Sequence, residues 1–159
     1  MNDVILLMKQ SYKYPGLQIL EQDQLIVFFS TTEHFSYTWS SWSIFSLERE
    51  QFLARRIYYF KNYAIPKLNG PNTVGHDCYI EKDLAKQIIA SFPRNVPKPT
   101  DGVMIDGFSR YTIILQENID YEWVAHTADN SLYDKWLEKW GNILDDFMPE
   151  YSRPYISYR

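Results

Sequence analysis

Apolar positions change period along the last third of the chain, and the changes mark out a strand–strand–helix unit. Val103, Met104 and Ile105 precede Asp106-Gly107, a dipeptide suited to a tight hairpin turn because both residues tolerate positive φ. Beyond the turn, residues 110–115 are β-branched and aromatic enough to predict a strand. Glu117-Asn118 is a polar break, after which Ile119, Tyr121, Trp123 and Ala125 alternate with Asp120, Glu122, Val124 and His126. That period of two predicts an antiparallel strand with one wetter face. The period then becomes helical. Ser131 suits an N-cap, and Leu132, Trp136, Trp140, Ile143, Leu144 and Phe147 fall on one side of a helix over residues 131–147, ended by Pro149. Asp134, Lys135, Glu138, Lys139, Asp145 and Asp146 mostly fill the other side, and the two tryptophans read as core. Gly141 costs about 1 kcal/mol relative to alanine inside a helix, which suits a position that a strand approaches closely.

Upstream, residues 4–8 form a short apolar run that predicts a strand, and Tyr14-Pro15-Gly16 a turn. Residues 17–21 and 25–30 read as two strands joined across Gln22-Asp23-Gln24, or as one bent strand. Phe35, Tyr37 and Trp39 alternate with serine and threonine, and Ile44 and Phe45 continue the run, so the first 45 residues predict an antiparallel meander. Ser46 then resembles an N-cap followed by acidic Glu48 and Glu50. With Phe52, Leu53, Ile57, Phe60 and Ala64 on one helical face and Arg49, Arg55, Arg56 and Lys61 displaced from it, the spacing predicts a helix over residues 47–63. Residues 67–77 carry glycine and proline without periodicity and read as a loop; residues 81–91 predict a second short helix. Pro93, Pro97 and Pro99 make a stiff connector into the C-terminal unit. The fold class expected is α+β: one domain over residues 1–159, with an antiparallel sheet of about five to seven strands and two or three helices packed on one face.

Composition narrows the chemistry. A chain of 159 residues can bury about 70% of its unfolded surface and needs no disulfide or metal to fold. Its single cysteine, Cys78, fits a reducing compartment. The first eight residues lack a basic region ahead of their apolar run, and no run approaches the ~18 apolar residues of a membrane span, so a cytoplasmic protein is expected. A net charge of −4 with interspersed signs argues against nucleic acid as partner. Aromatic residues make up 17% of the chain, including 13 tyrosines, an excess that points to cross-strand pairs or to a recognition surface.

The constellations that catalysis requires are sparse. There is no glycine-rich phosphate loop. His34, His76 and His126 are far apart in sequence, and His76, Asp77 and Cys78 lack the spacing of a zinc site, so neither metal nor cofactor is expected. Cys78 with His76 two positions away is the one nucleophile–base pair that an enzyme could use. The carboxylate pairs Glu117/Glu122 and Asp145/Asp146 read as solvated faces. Arg55 and Arg56 with Tyr58 and Tyr59 mix charge with aromatics as binding hot spots do, and are the candidate partner-binding residues. Tyr37, Trp39 and Trp42 are the candidates for a small-molecule or carbohydrate site on an open sheet face.

The C-terminal unit, with Asp106-Gly107, the strand through Tyr111-Thr112-Ile113, Trp123, and a helix carrying Trp136, Trp140 and Leu144, resembles the ending of small bacterial α+β proteins. Some of these resemble immunity proteins encoded beside polymorphic toxins. The resemblance implies a non-enzymatic protein that binds a protein partner, such as a toxin, and it carries over no functional residue. Two other classes stand beside it: a binder of small molecules through exposed aromatics, and an enzyme using His76 and Cys78.

Overall fold

The computed structural model describes residues 8–9, 11–33, 38–59, 73–95, 108–125 and 132–148. Six strands form one sheet: β1 (Leu25–Glu33), β2 (Thr38–Ser46), β3 (Phe52–Tyr59), β4 (Thr73–Ile80), β5 (Phe108–Ile114) and β6 (Ile119–Ala125). Their order is β4-β3-β2-β1-β5-β6, and every neighbouring pair is antiparallel. Two helices follow strands: α1 (Lys82–Ala90) after β4 and α2 (Leu132–Asp145) after β6. The architecture is α+β, as the sequence predicts. None of the described helices is long and apolar enough to cross a membrane.

Among the described residues the inner strands of the sheet are buried on both faces. On one face Val27, Phe29, Trp42, Ile44, Ala54, Ile80 and Ile114 pack with Ala85 and Ile88 of α1 and with Tyr133, Trp136, Leu137, Trp140 and Leu144 of α2. The two helices are tied together by indole N–H groups: Trp136 Nε1 donates to the Ile88 carbonyl at 3.1 Å and Trp140 Nε1 to Ser91 Oγ at 2.8 Å. Buried Trp needs such a partner for its polar edge. Tyr133 adds a 2.8 Å hydroxyl contact to Thr112 on β5, and Phe29 meets the Trp136 ring edge-on at 5.3 Å. On the opposite face Leu25, Phe28, Phe45, Leu53, Ile57, Tyr111 and Ile113 are covered by Met8, Tyr12, Tyr14 and Leu20. So the molecule has three layers here: helices, sheet, and an N-terminal segment over residues 8–20.

Several expectations are corrected. Residues 52–59 are not helical; they form β3, paired with β2 and β4 on either side. The acidic stretch read as a helix start is a tight turn, Glu48–Glu50, in which Arg49 and Glu50 both take left-handed backbone angles (φ 59° and 57°) and the Leu47 N–H bonds the Gln51 carbonyl at 2.8 Å. Two successive positive-φ residues are what a hairpin requires. Residues 73–77, read as loop, belong to β4. Residues 17–21 are not a strand, and Met8 is helical. On α2, Leu132 and Phe147 are exposed rather than core, whereas Tyr133 and Leu137 are buried. Asp134, expected in solvent, is buried in an ion pair with Arg110 of β5. An added Cβ at Gly141 would meet nothing within 4 Å, so no strand approaches it. The expectations at residues 4–7, 60–72 and 101–107, and the Asp106-Gly107 turn among them, lie outside the described residues.

Candidate functional site

β3 is an inner strand, so its successive side chains enter opposite layers. Two of them are arginines. Arg55 turns into the N-terminal layer between Leu53 and Ile57, and Arg56 into the helix layer between Ala54 and Tyr58. Burying a guanidinium is expensive unless its donors are met.

Arg55 is fully buried, and every N–H it carries has an acceptor. Nε and Nη2 form a two-pronged bridge to Asp77 on β4, both at 2.7 Å. Nη1 donates to the carbonyls of Ser11 (2.6 Å) and Tyr12 (3.4 Å), and Nη2 also to that of Gln18 (2.6 Å). Its carbon lies 5.7 Å from the Phe45 ring centroid. The residue therefore fastens the N-terminal segment to the sheet.

Arg56, 5% exposed, is held differently. Nε donates to Asp145 Oδ1 of α2 at 3.0 Å, and the guanidinium carbon stands 5.0 Å from the Trp42 ring centroid and 5.6 Å from that of Tyr58. Nε is the only nitrogen of the group with an acceptor among the described residues, and Nη1 is buried without one. Burial pulls this guanidinium below its ordinary pKa, and Asp145 opposes the shift.

Beside Arg56 lies a half-open cleft of about 130 Å³ between the sheet and α2. Thr31, Ser40, Trp42 and Arg56 line it from the strands; Glu138, Gly141, Asn142 and Asp145 line it from the helix. The helix residues stand at i, i+3, i+4 and i+7, so they make one stripe along α2, beside the apolar stripe that carries Trp136 and Trp140. The bare Gly141 leaves the space open. With Ser30, which also lines it, the described residues of the site offer one cation, two carboxylates, three hydroxyls and an amide.

The residues singled out in the sequence are distributed as follows. Arg55, Arg56 and Tyr58 are buried in the sheet, so the exposed helical face expected to display them does not exist. Tyr59 lies opposite Trp39 in the β2/β3 register, and Tyr37 is outside the described residues. Trp42 does line the cleft but is buried, and Arg56 occupies a face of its ring, which leaves no open stacking platform for a sugar. His76 and Cys78 share the helix-side face of β4, with Asp77 on the other. Burial, with a smaller push from Asp77, raises the Cys78 thiol to about 11, the reverse of what an activated nucleophile needs. Burial lowers the pKa of His76, with Asp77 opposing. No cluster of metal-ligating side chains occurs among the described residues. Glu117 pairs with Arg94, and Asp145, taken as solvated, pairs with Arg56. Asp145, Asn142, Gly141 and Ser40 were missed. The signal available was a glycine and an asparagine adjoining inside an otherwise well-formed helix.

Comparison of the chain with models of known protein families, with curated proteins and with solved structures finds no match.

Proposed function

We propose that the protein is a non-enzymatic protein-binding domain whose partner docks over the cleft between α2 and the β1–β3 strands. The observation that carries this reading is Arg56 Nη1, buried beside a cleft of about 130 Å³ with no acceptor among the described residues. A buried donor of this kind is costly unless an incoming group or water supplies the acceptor. The size of the space argues for what that group belongs to. Pockets that enclose a small molecule run to about 300–1,000 Å³. This one suits the end of a single side chain, anchored by a larger body outside. Small clefts of this kind are where interface hot spots seat themselves. The resemblance of the C-terminal unit to toxin-immunity proteins makes a bacterial toxin the partner class favoured, met in the cytoplasm.

The experiment is a paired capture: tagged protein and its Gly141→Leu variant, each incubated with lysate of the source organism. The variant fills the cleft from a position where added atoms meet open space. A stoichiometric protein partner held by the parent and lost from the variant supports the reading. Capture by both alike, or by neither, contradicts it.

A further inference from the structure

We infer that β4 is a dimerisation edge: two copies of the chain join β4 to β4 antiparallel and continue the sheet across a two-fold axis. β4 does not line the cleft, so this contact goes beyond the docking reading above and is independent of it.

An end strand presents alternate backbone N–H and C=O groups to solvent. Proteins usually guard such an edge with lysine, proline, a bulge or an inward-pointing charge. Among the described residues β4 pairs only with β3. Its register is unbroken from Thr73 to Ile80, and the strand contains neither lysine nor proline. Its one acid, Asp77, is held by the two-pronged bridge to Arg55, so its charge does not repel a neighbour. By contrast β6, at the other end of the sheet, carries two acids in its sequence, Asp120 and Glu122. Apolar surface adjoins β4 as well. Tyr79 is 64% exposed on the strand itself, and Ile19, 68% exposed, belongs to the segment that Arg55 fastens against Asp77.

Charge complementarity within the strand selects the occupant and the register. A closed pair of copies joins the same edge twice, so the strands run antiparallel about the axis and each face continues into its own kind. With the axis at His76, residues 73–79 pair. Val74 then meets Cys78 of the second copy, Thr73 meets Tyr79, and Gly75 meets Asp77. Burial lowers the pKa of His76, so the two imidazoles at the axis are neutral at pH 7 and no like charges oppose each other. Threonine against tyrosine is the β-branched and aromatic pairing that stabilises a ladder, and it occurs twice. An axis at Asp77 would set that carboxylate against itself, and an axis at Cys78 would pair only residues 76–80. A strand that complements itself in this way is suited to a second copy rather than to a foreign strand.

Sedimentation equilibrium of the intact chain at neutral pH measures the association, and cross-linking reads its register. At about 100 μM the protein should be largely dimeric, as a small, transient interface allows. Tyr79→Lys puts a lysine guard at an exposed edge position and should weaken the dimer by about tenfold or more. Leu132→Lys changes a comparably exposed apolar residue on α2 and should leave it unaltered. Val74→Cys should yield a disulfide-linked dimer with Cys78 of the second copy on mild oxidation, because opposed Cβ atoms of a ladder lie about 4.5–5.5 Å apart. Val74→Cys combined with Cys78→Ala should not. Within one chain the two positions are roughly 13 Å apart along the strand, beyond the reach of a disulfide. A chain that stays monomeric at that concentration overturns the inference. So does a dimer that Leu132→Lys weakens and Tyr79→Lys does not, or one in which the unsubstituted chain cross-links through Cys78 alone.

Discussion

Arg55 and Arg56 are neighbours on one strand, both almost fully buried, and they do opposite things. Arg55 has an acceptor for every N–H: a doubly bonded carboxylate and the carbonyls of three residues in the layer above. Among the described residues Arg56 has one hydrogen bond and two aromatic neighbours, and its Nη1 has no acceptor. A glycine repeats the contrast on each side. Gly75 on β4 lies against the Tyr14 ring, so close that an added Cβ would come within 2.5 Å of Cε1, whereas Gly141 on α2 faces open space. One side of the sheet is closed around its charge, and the other is left with room beside it. A satisfied buried charge is structure; an incompletely satisfied one next to a cleft is the better candidate for a site.

The comparison breaks most visibly at the arginines. Arg55→Met should destabilise by about 3–5 kcal/mol, because Asp77 and the carbonyls of Ser11 and Gln18 lose their partner together. Arg56→Met should cost about 1–3 kcal/mol, since it removes a single hydrogen bond, to Asp145, whose side chain is a quarter exposed and can turn to water. Urea denaturation of both variants reads the gap, and equal losses would remove the distinction. Next come the glycines. Gly75→Ala should destabilise by about 1–3 kcal/mol as Tyr14 is forced aside. Gly141→Ala should instead stabilise by about 0.5–1 kcal/mol, by helix propensity alone. The same denaturation series checks both, and agreement in sign between the two glycines would contradict the account. The smallest effect concerns Cys78. With its thiol raised to about 11, the folded protein should react with iodoacetamide at pH 8 roughly a hundredfold more slowly than the urea-unfolded chain, whose thiol has the ordinary value near 8.5. The sign for stability follows: the contribution of this group is full below about pH 8.5 and declines as pH rises towards the folded value, because the unfolded chain ionises first.

Where one face of an element is wet, the sequence was readable. Both helices show a single period, and α1 and α2 fall within two residues of the ranges their apolar spacing predicts. β3 hides its nature because both its faces are buried, and each carries an arginine where alternation would have placed an apolar residue. The remaining apolar residues then fit a helical period by accident, and two acids in a left-handed turn imitate a helix start. The layer over residues 8–20 was equally hidden. Its residues 12–20 run through turns and irregular backbone, and Arg55 fastens it to the sheet by reaching across 37 to 44 positions of sequence. The cleft shows in the sequence only as the polar stripe of Glu138, Gly141, Asn142 and Asp145, which looks like any solvated helix face until Arg56 is placed against it.

The measurement that goes most directly to this account is hydrogen exchange of the arginine side chains, followed by 15N NMR of the guanidinium groups. The account predicts Nη protons of Arg55 that are individually resolved and slow to exchange, and an Arg56 whose Nε proton is protected by Asp145 while its Nη protons, with no acceptor among the described residues, exchange faster than those of Arg55. Nη protons of Arg56 as protected as those of Arg55 would mean that the protein itself supplies their acceptors, and the site would be structure like its neighbour.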